Sequence, residues 1–319
     1  MENKTLNKFM PEKMSSIEKV IGKGLSEEEK AWIMRSYEEK FDNQKFEELR
    51  DLEREKTAEE LEIISLANEK TNELLEKFGL KKFDIPAKNI HVVSKEKWIG
   101  GRVPAFFKYD EQAVVMRAED WKIIFADNIF HEMLHFKSGT TLLAKEGKEG
   151  IVFKPRLGFR IYEKNFGREY FANLNEAITE ELAKRMTIVS STENPLFQDE
   201  INKMKKMYKE HPQLITNDTL TLKVSPPDAT GETKLERHSF PYGRHRNILN
   251  TLIDKLYEKN KDEFKEREDV FNLFAKAMFE GNIIEVGHLV DTTFGKGTMR
   301  TIGEFEDNIN GQENYVKLL

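Results

Sequence analysis

The stretch Asp120-Trp121-Lys122-Ile123-Ile124-Phe125-Ala126-Asp127-Asn128-Ile129-Phe130-His131-Glu132-Met133-Leu134-His135-Phe136-Lys137 decides how this chain is read. Ile124, Ile129, Phe130, Met133, Leu134 and Phe136 fall on a helical period, so a buried helix is expected over Asp120–Lys137. His131 and His135 are four apart and share a face, one turn from each other, so both imidazoles can point at one metal ion. Glu132 is rotated by about 100° from His131 and can reach the water that such an ion activates. Two unpaired imidazoles in a water-poor helix would be costly, and metal ligation removes that cost. H-E-x-x-H on a helix is the pattern of a zinc-dependent hydrolase, most often a peptidase.

A catalytic zinc takes three protein ligands and keeps a fourth position open. The third ligand has to come from elsewhere in the fold. Leu174-Asn175-Glu176-Ala177-Ile178-Thr179-Glu180-Glu181-Leu182 is again helical in pattern. Glu176 and Glu180 share a face, and a solvated surface pair is one reading of them. The flanking Ala177, Ile178, Leu182 and Ala183 point to the other: Glu176 ligates the metal, and Glu180 holds a histidine ring from behind and fixes its tautomer.

These two segments together resemble the gluzincin metallopeptidases, the thermolysin-like clan. The resemblance covers roughly residues 89–185 and is carried by H-E-x-x-H followed by N-E-x-x-x-acid. It implies His131, His135 and Glu176 as zinc ligands, Glu132 as general base, and Glu180 as the acid that orients a zinc histidine. Glu180 stands where the thermolysin pattern has Asp, and the gap from His135 to Glu176 is longer than in thermolysin, so the likeness is to the clan. The whole chain looks like an uncharacterised bacterial member carrying this motif pair, and no substrate carries over.

Outward from the motifs, the expected class is α+β: a zincin-like, small mixed sheet with active-site helices and a mainly helical C-terminal lobe. Residues 1–56 read as a helical or loosely ordered lead, with residues 1–24 Lys-rich and loose. Residues 57–190 read as the catalytic lobe, and residues 191–319 as the mainly helical lobe, with the cleft between the two. Ser26 with Glu29 and Thr57 with Glu60 are capping boxes; they open helices running to about Phe41 and to Phe78, the second closed by Gly79. Ile90–Val93, Ala105–Tyr109 and Ala113–Met116 read as strands. Ala113–Met116 is the candidate for an edge strand that pairs with an extended peptide, an ordinary meander being the alternative. Ile151–Tyr162 alternates as a hairpin or flap and accounts for the long gap between the motifs. Helices are expected over Asn194–Tyr208, Tyr242–Tyr257, Asp269–Phe279 and Ile283–Phe294, a short strand over Thr219–Val224, and a turn or mobile loop over Ser225–Glu232.

The net charge of −6 gives no reason to expect nucleic acid as a partner. No apolar run approaches the ~20 residues of a membrane span. With no cysteine there is neither a disulfide nor a thiolate ligand or nucleophile. The N-terminal residues lack the apolar core of an export signal, so the cytoplasm is the expected compartment. Nothing in the pattern specifies an oligomeric state. Gly295-Lys296-Gly297-Thr298 lacks the spacing of a phosphate loop. An oxyanion donor is needed, and Tyr170, Tyr242 or one of His238, His245 and His288 could supply it; for each of them the favoured reading is a packing or structural residue. The expected function is a Zn2+-dependent peptidase acting on a peptide or protein substrate, with Glu132 moving the proton. The alternative is a non-catalytic zincin-fold protein that binds extended peptides or organises a partner.

Overall fold

A computed structural model describes residues 17–144, 152–163, 168–224, 233, 235–305 and 308–319. The chain begins with β1 (Ile17–Ile21), α1 (Glu27–Asp42), β2 (Glu53–Arg54), α2 (Ala58–Lys77), β3 (Ile90–Val93), β4 (Ala105–Lys108) and β5 (Ala113–Arg117). The motif helix α3 (Lys122–Lys137) follows, then β6 (Thr140–Ala144), β7 (Val152–Leu157), β8 (Arg160–Tyr162), β9 (Glu169–Tyr170) and α4 (Ala172–Glu193). The remainder is α5 (Gln198–Glu210), β10 (Thr219–Val224), β11 (Leu235–Ser239), α6 (Gly243–Lys259), α7 (Arg267–Phe279), α8 (Ile284–Phe294), α9 (Thr298–Gly303) and α10 (Ile309–Leu318). The class is α+β, as the periodicities predict. No helix among the described residues is long and apolar enough to cross a membrane.

Helix α3 is the centre. Every residue from Ile123 to Lys137 is buried. A helix enclosed on all sides belongs in the middle of a fold, with elements on each flank. Here α2 and α4 pack against it. Its start carries no local side-chain cap, because Trp121 stands at the N-cap. Glu200 of α5 takes that place: its two carboxylate oxygens accept from the backbone N–H of Lys122 (2.7 Å) and Ile123 (2.9 Å). Free N–H groups and the helix dipole both favour an anion there. The capping boxes at Ser26 and Thr57 form as expected, and α2 closes at Gly79 with φ +70.

The fold has two mixed sheets, the first of which packs against this helix through β4 and β5. It has the order β2-β3-β5-β4, with β5 parallel to β3 and antiparallel to β4. This corrects the expected edge. Ala113–Met116 lies inside the sheet, and its four residues are all buried. The edge is β4, Ala105–Lys108. A parallel β3–β5 pair needs a crossover, and the chain uses it to lay β4 outside β5. The other sheet has the order β1-β6-β7-β8-β9. Its β7–β8 hairpin is the predicted insertion, turned at Gly158 with φ +55. Ile17–Ile21, expected within a loose lead, instead pairs parallel with β6 and buries Ile17 and Val20. The turn expected over Ser225–Glu232 lies outside the described residues. Helix α10 lies beyond the expected helices; its Val316 joins the main core. That core runs from Phe41 to Val316 and draws on residues from α1 to α10.

At the far end of α3, Lys137 is buried without a carboxylate partner among the described residues. Its Nζ donates to Thr71 Oγ1 and Asn72 Oδ1 on α2, each at 2.8 Å, and lies over the Phe83 ring. Burial pushes the amine down to about 7, against the opposing field of Asp84.

Two stability measurements check these contacts. Glu200→Ala is expected to lower the free energy of unfolding by about 1–2 kcal/mol in a denaturant titration; an unchanged midpoint would show that α3 starts without this cap. An unfolded lysine keeps its proton to about pH 10.4, whereas folded Lys137 loses it near 7. Between those values the unfolded chain holds the extra proton. The lysine's contribution is therefore full above the unfolded pKa and lost as pH falls towards 7, with a slope of up to about 1.4 kcal/mol per pH unit. Lys137→Met should remove that slope; an identical pH profile for the variant would contradict the burial of a neutral amine.

Candidate metal centre

The antiparallel run of α4 past α3 builds the site as a series of rungs. His135 meets Glu176, His131 meets Glu180, and Asp127 meets Thr187. His131 Nε2 and His135 Nε2 are 3.0 Å apart, and Glu176 Oε2 is 3.3 Å from each. Tetrahedral metal bonds of about 2.0–2.1 Å separate their ligand atoms by about 3.3–3.4 Å. The three atoms thus have close to the spacing of one face of a coordination tetrahedron. His131, His135 and Glu176 form the group able to hold a metal ion among the described residues. Glu132 stands outside this set.

Behind the ligand atoms, Glu180 Oε2 lies 2.9 Å from His131 Nδ1. A carboxylate there favours Nδ1–H and leaves Nε2 with its lone pair forward. Asn175 is pinned by the Phe159 N–H on its Oδ1 (2.9 Å), and its Nδ2 stands 3.5 Å from His135 Nδ1. Gly158 permits this approach, since a Cβ there would meet Asn175 Oδ1 at 2.5 Å.

The electrostatics fit a cation. Asp127, Glu132 and Glu180 are buried around the histidine pair, and Glu176 is half-buried. Arg246 is the buried guanidinium near them, already hydrogen-bonded to Asp218 Oδ2 at 2.7 Å. Burial opposes a charged His131, but hydrogen bonds to Glu176 and Glu180 overcome it and hold its pKa well above the ordinary value. Burial raises Glu132 and outweighs the lowering effect of His131 and His135. Glu176 is subject to the same burial, yet His135 and His131 hold it well below the usual carboxylate range. Such a concentration of acid beside two imidazoles asks for positive charge at their common focus.

Two of the other expected residues arrive at this focus. The Tyr242 ring stacks on His131, with centroids 5.6 Å apart and planes 6° from parallel. Burial, followed by the charge of Glu176, raises the pKa of its hydroxyl. Tyr242 holds φ +52 at the N-cap of α6, a conformation an aromatic residue rarely adopts and which costs of order 1–3 kcal/mol. His245, one turn on, sits edge-on to Tyr242. Tyr170, by contrast, packs from β9 against the core, and no contact joins it to the histidine pair among the described residues. His238 lies on β11, where burial and then Lys223 and Arg117 push it down to about 4. The Phe107 backbone lowers the pKa of the Glu132 carboxyl against the effect of burial, and β4 packs against α3, which places the β4 edge beside the site. Reading the chain residue by residue missed Asp127, Asn175 and Arg246. Asp127 had one signal, an acid on the buried face one turn before His131; Arg246 had none, since its partners lie on α4 and just before β10.

No protein-family model, no curated protein and no solved structure matches this chain.

Proposed function

We propose that the protein is a zinc metallopeptidase of the gluzincin type, built on a zincin-like fold. The observation that carries this is the spacing of His131 Nε2, His135 Nε2 and Glu176 Oε2, with the Glu132 carboxyl beside that set and not part of it. A closed structural site would need a fourth protein ligand and no adjacent base.

In this reading His131, His135 and Glu176 hold the ion. When bound, zinc acidifies a water and polarises a carbonyl. Glu132 takes the proton of the attacking water and passes it to the leaving amine; burial raises its pKa towards the value such a shuttle needs. Glu180 keeps His131 in the tautomer that ligates. Tyr242, whose ring lies on His131, donates to the developing oxyanion, and His245, edge-on to it, is placed to assist. The free edge of β4 pairs with the backbone of an extended peptide, a recognition mode that reads shape before side chain. Neither a soluble partner other than the peptide nor nucleic acid enters this mechanism.

Three outcomes test it. Purified protein is expected to carry about one zinc per chain, measured by elemental analysis, and His135→Ala should lose tight binding. Full zinc in that variant would mean that the motif is not the site. Glu132→Gln keeps the shape of the side chain but cannot accept a proton. At equal zinc loading it should lower kcat on a library-selected peptide by roughly 10²–10⁴-fold with KM little changed; cleavage at the wild-type rate would sink the assignment of the base.

A further inference from the structure

The C-terminal helix α10 reaches the metal centre through a line of hydrogen bonds whose direction is fixed. Gln312 is 2% exposed, and its Nε2 donates to the Ile302 carbonyl at 2.9 Å. Its Oε1 accepts from Asn173 Nδ2 at 3.3 Å. The same Nδ2 donates to the Phe305 carbonyl at 3.4 Å. A backbone carbonyl only accepts, so neither amide can be turned over: the reverse orientation would set oxygen against oxygen at Ile302 and at Phe305. Asn173 Oδ1 therefore faces its remaining partner here, His245 Nε2, at 3.2 Å. A carbonyl oxygen in that place requires the hydrogen on Nε2. In the neutral ring Nδ1 then carries none, and donation to an oxyanion falls to Tyr242.

His245 in turn meets the Tyr242 ring edge-on, with centroids 5.4 Å apart and planes 79° from parallel, an attractive arrangement for aromatic rings. Tyr242 lies flat on His131. It is 36% exposed and held at φ +52, so neither burial nor its own backbone preference keeps it there. Beside His245, Arg244 Nε donates to Glu313 Oε2 at 2.6 Å and clamps α6 onto α10 next to Gln312. We infer that Asn173 and Gln312 are positioning residues of the site: they pin His245 in its Nε2–H form, with its ring set against Tyr242, so that α10 determines where the Tyr242 ring lies over His131. Neither residue touches the metal ligands in this arrangement; both act through His245. The inference rests on the metal-centre reading for the roles of His131 and Tyr242. Its test is therefore made on the metal-free full chain, and zinc binding is measured apart. Should no zinc bind, that reading has failed, and the ring measurements still decide this one.

Nitrogen resonances of isotope-labelled histidine tell the two tautomers apart at about pH 8, where an ordinary imidazole is neutral, and His245→Gln assigns the signal. Wild type should show His245 as the Nε2–H form. Asn173→Leu removes the acceptor, and Gln312→Met cuts the line one step earlier; each should turn the single form into a mixture. The His131 ring protons lie under the face of Tyr242 and are shielded by it, so Tyr242→Leu should shift them downfield. Asn173→Leu and Gln312→Met should shift them the same way by a smaller amount. A packing role alone would lower Tm and leave the tautomer as it is. Three results overturn the inference: the Nδ1–H form in wild type; a folded Asn173→Leu or Gln312→Met protein with the wild-type tautomer; or a changed tautomer with the His131 protons unmoved. Should Asn173→Leu fail to fold, Gln312→Met decides, and the wild-type tautomer needs no variant at all.

Discussion

The packing of α3 against α4 is the contact on which the rest of this structure depends. Both helices are lined with apolar residues, and their burial draws the two surfaces together. Yet the seam between them carries His131, His135, Asp127, Asn175, Glu176 and Glu180. Polar groups in such a place have to satisfy one another, because water is excluded. Antiparallel helices meet at intervals of one turn, so each polar residue on α3 finds its partner on α4 at the matching level. The arrangement is ordered because the periodicity of both helices orders it.

Other elements hold that seam in place at its ends. Glu200 caps α3 from a helix far along the chain. At the start of α4, Phe171 takes φ +62, and its N–H reaches the Gly303 carbonyl at 3.3 Å. Its ring lies where any side chain on residue 303 would collide, 2.5 Å from an ideal Cβ. Tyr242 takes a similar left-handed conformation at the start of α6 and lays its ring on His131. Two aromatic residues in a sparsely populated region therefore stand directly before the helices that border the site. Strain of this kind persists where surrounding contacts over-determine it.

The hairpin between the motifs has a structural part in the site. Its Gly158 turn brings the Phe159 N–H onto Asn175, the residue preceding the Glu176 ligand. The long spacing between the two motifs is thus taken up by strands that extend one sheet, and their turn helps to orient α4. On the opposite side, β4 lies at the end of its sheet, with Phe107 against Glu132. The site sits between a hairpin and an open edge.

What the sequence by itself determined was whatever depends on neighbours within a turn or a hairpin. His131 with His135, Glu176 with Glu180, the Ser26 and Thr57 caps and the β7–β8 hairpin were legible because their partners are three to a few residues apart. That Glu176 and Glu180 serve the histidine pair was legible from their shared face and apolar flanks together with the resemblance to a known motif pair, but that Glu180 meets His131 was decided by how α4 packs on α3. Only the tertiary structure decided that β4 and not β5 forms the edge, since strand order depends on how a crossover is laid down. It alone put Tyr242 over His131 while leaving Tyr170 away from the pair, because ring positions follow from helix placement, not from nearness in the chain. It also turned Asp127 from one acid among many into a buried acceptor of the Thr187 hydroxyl, one turn before His131. A carboxyl's surroundings are set by what packs over it, and no local pattern records that.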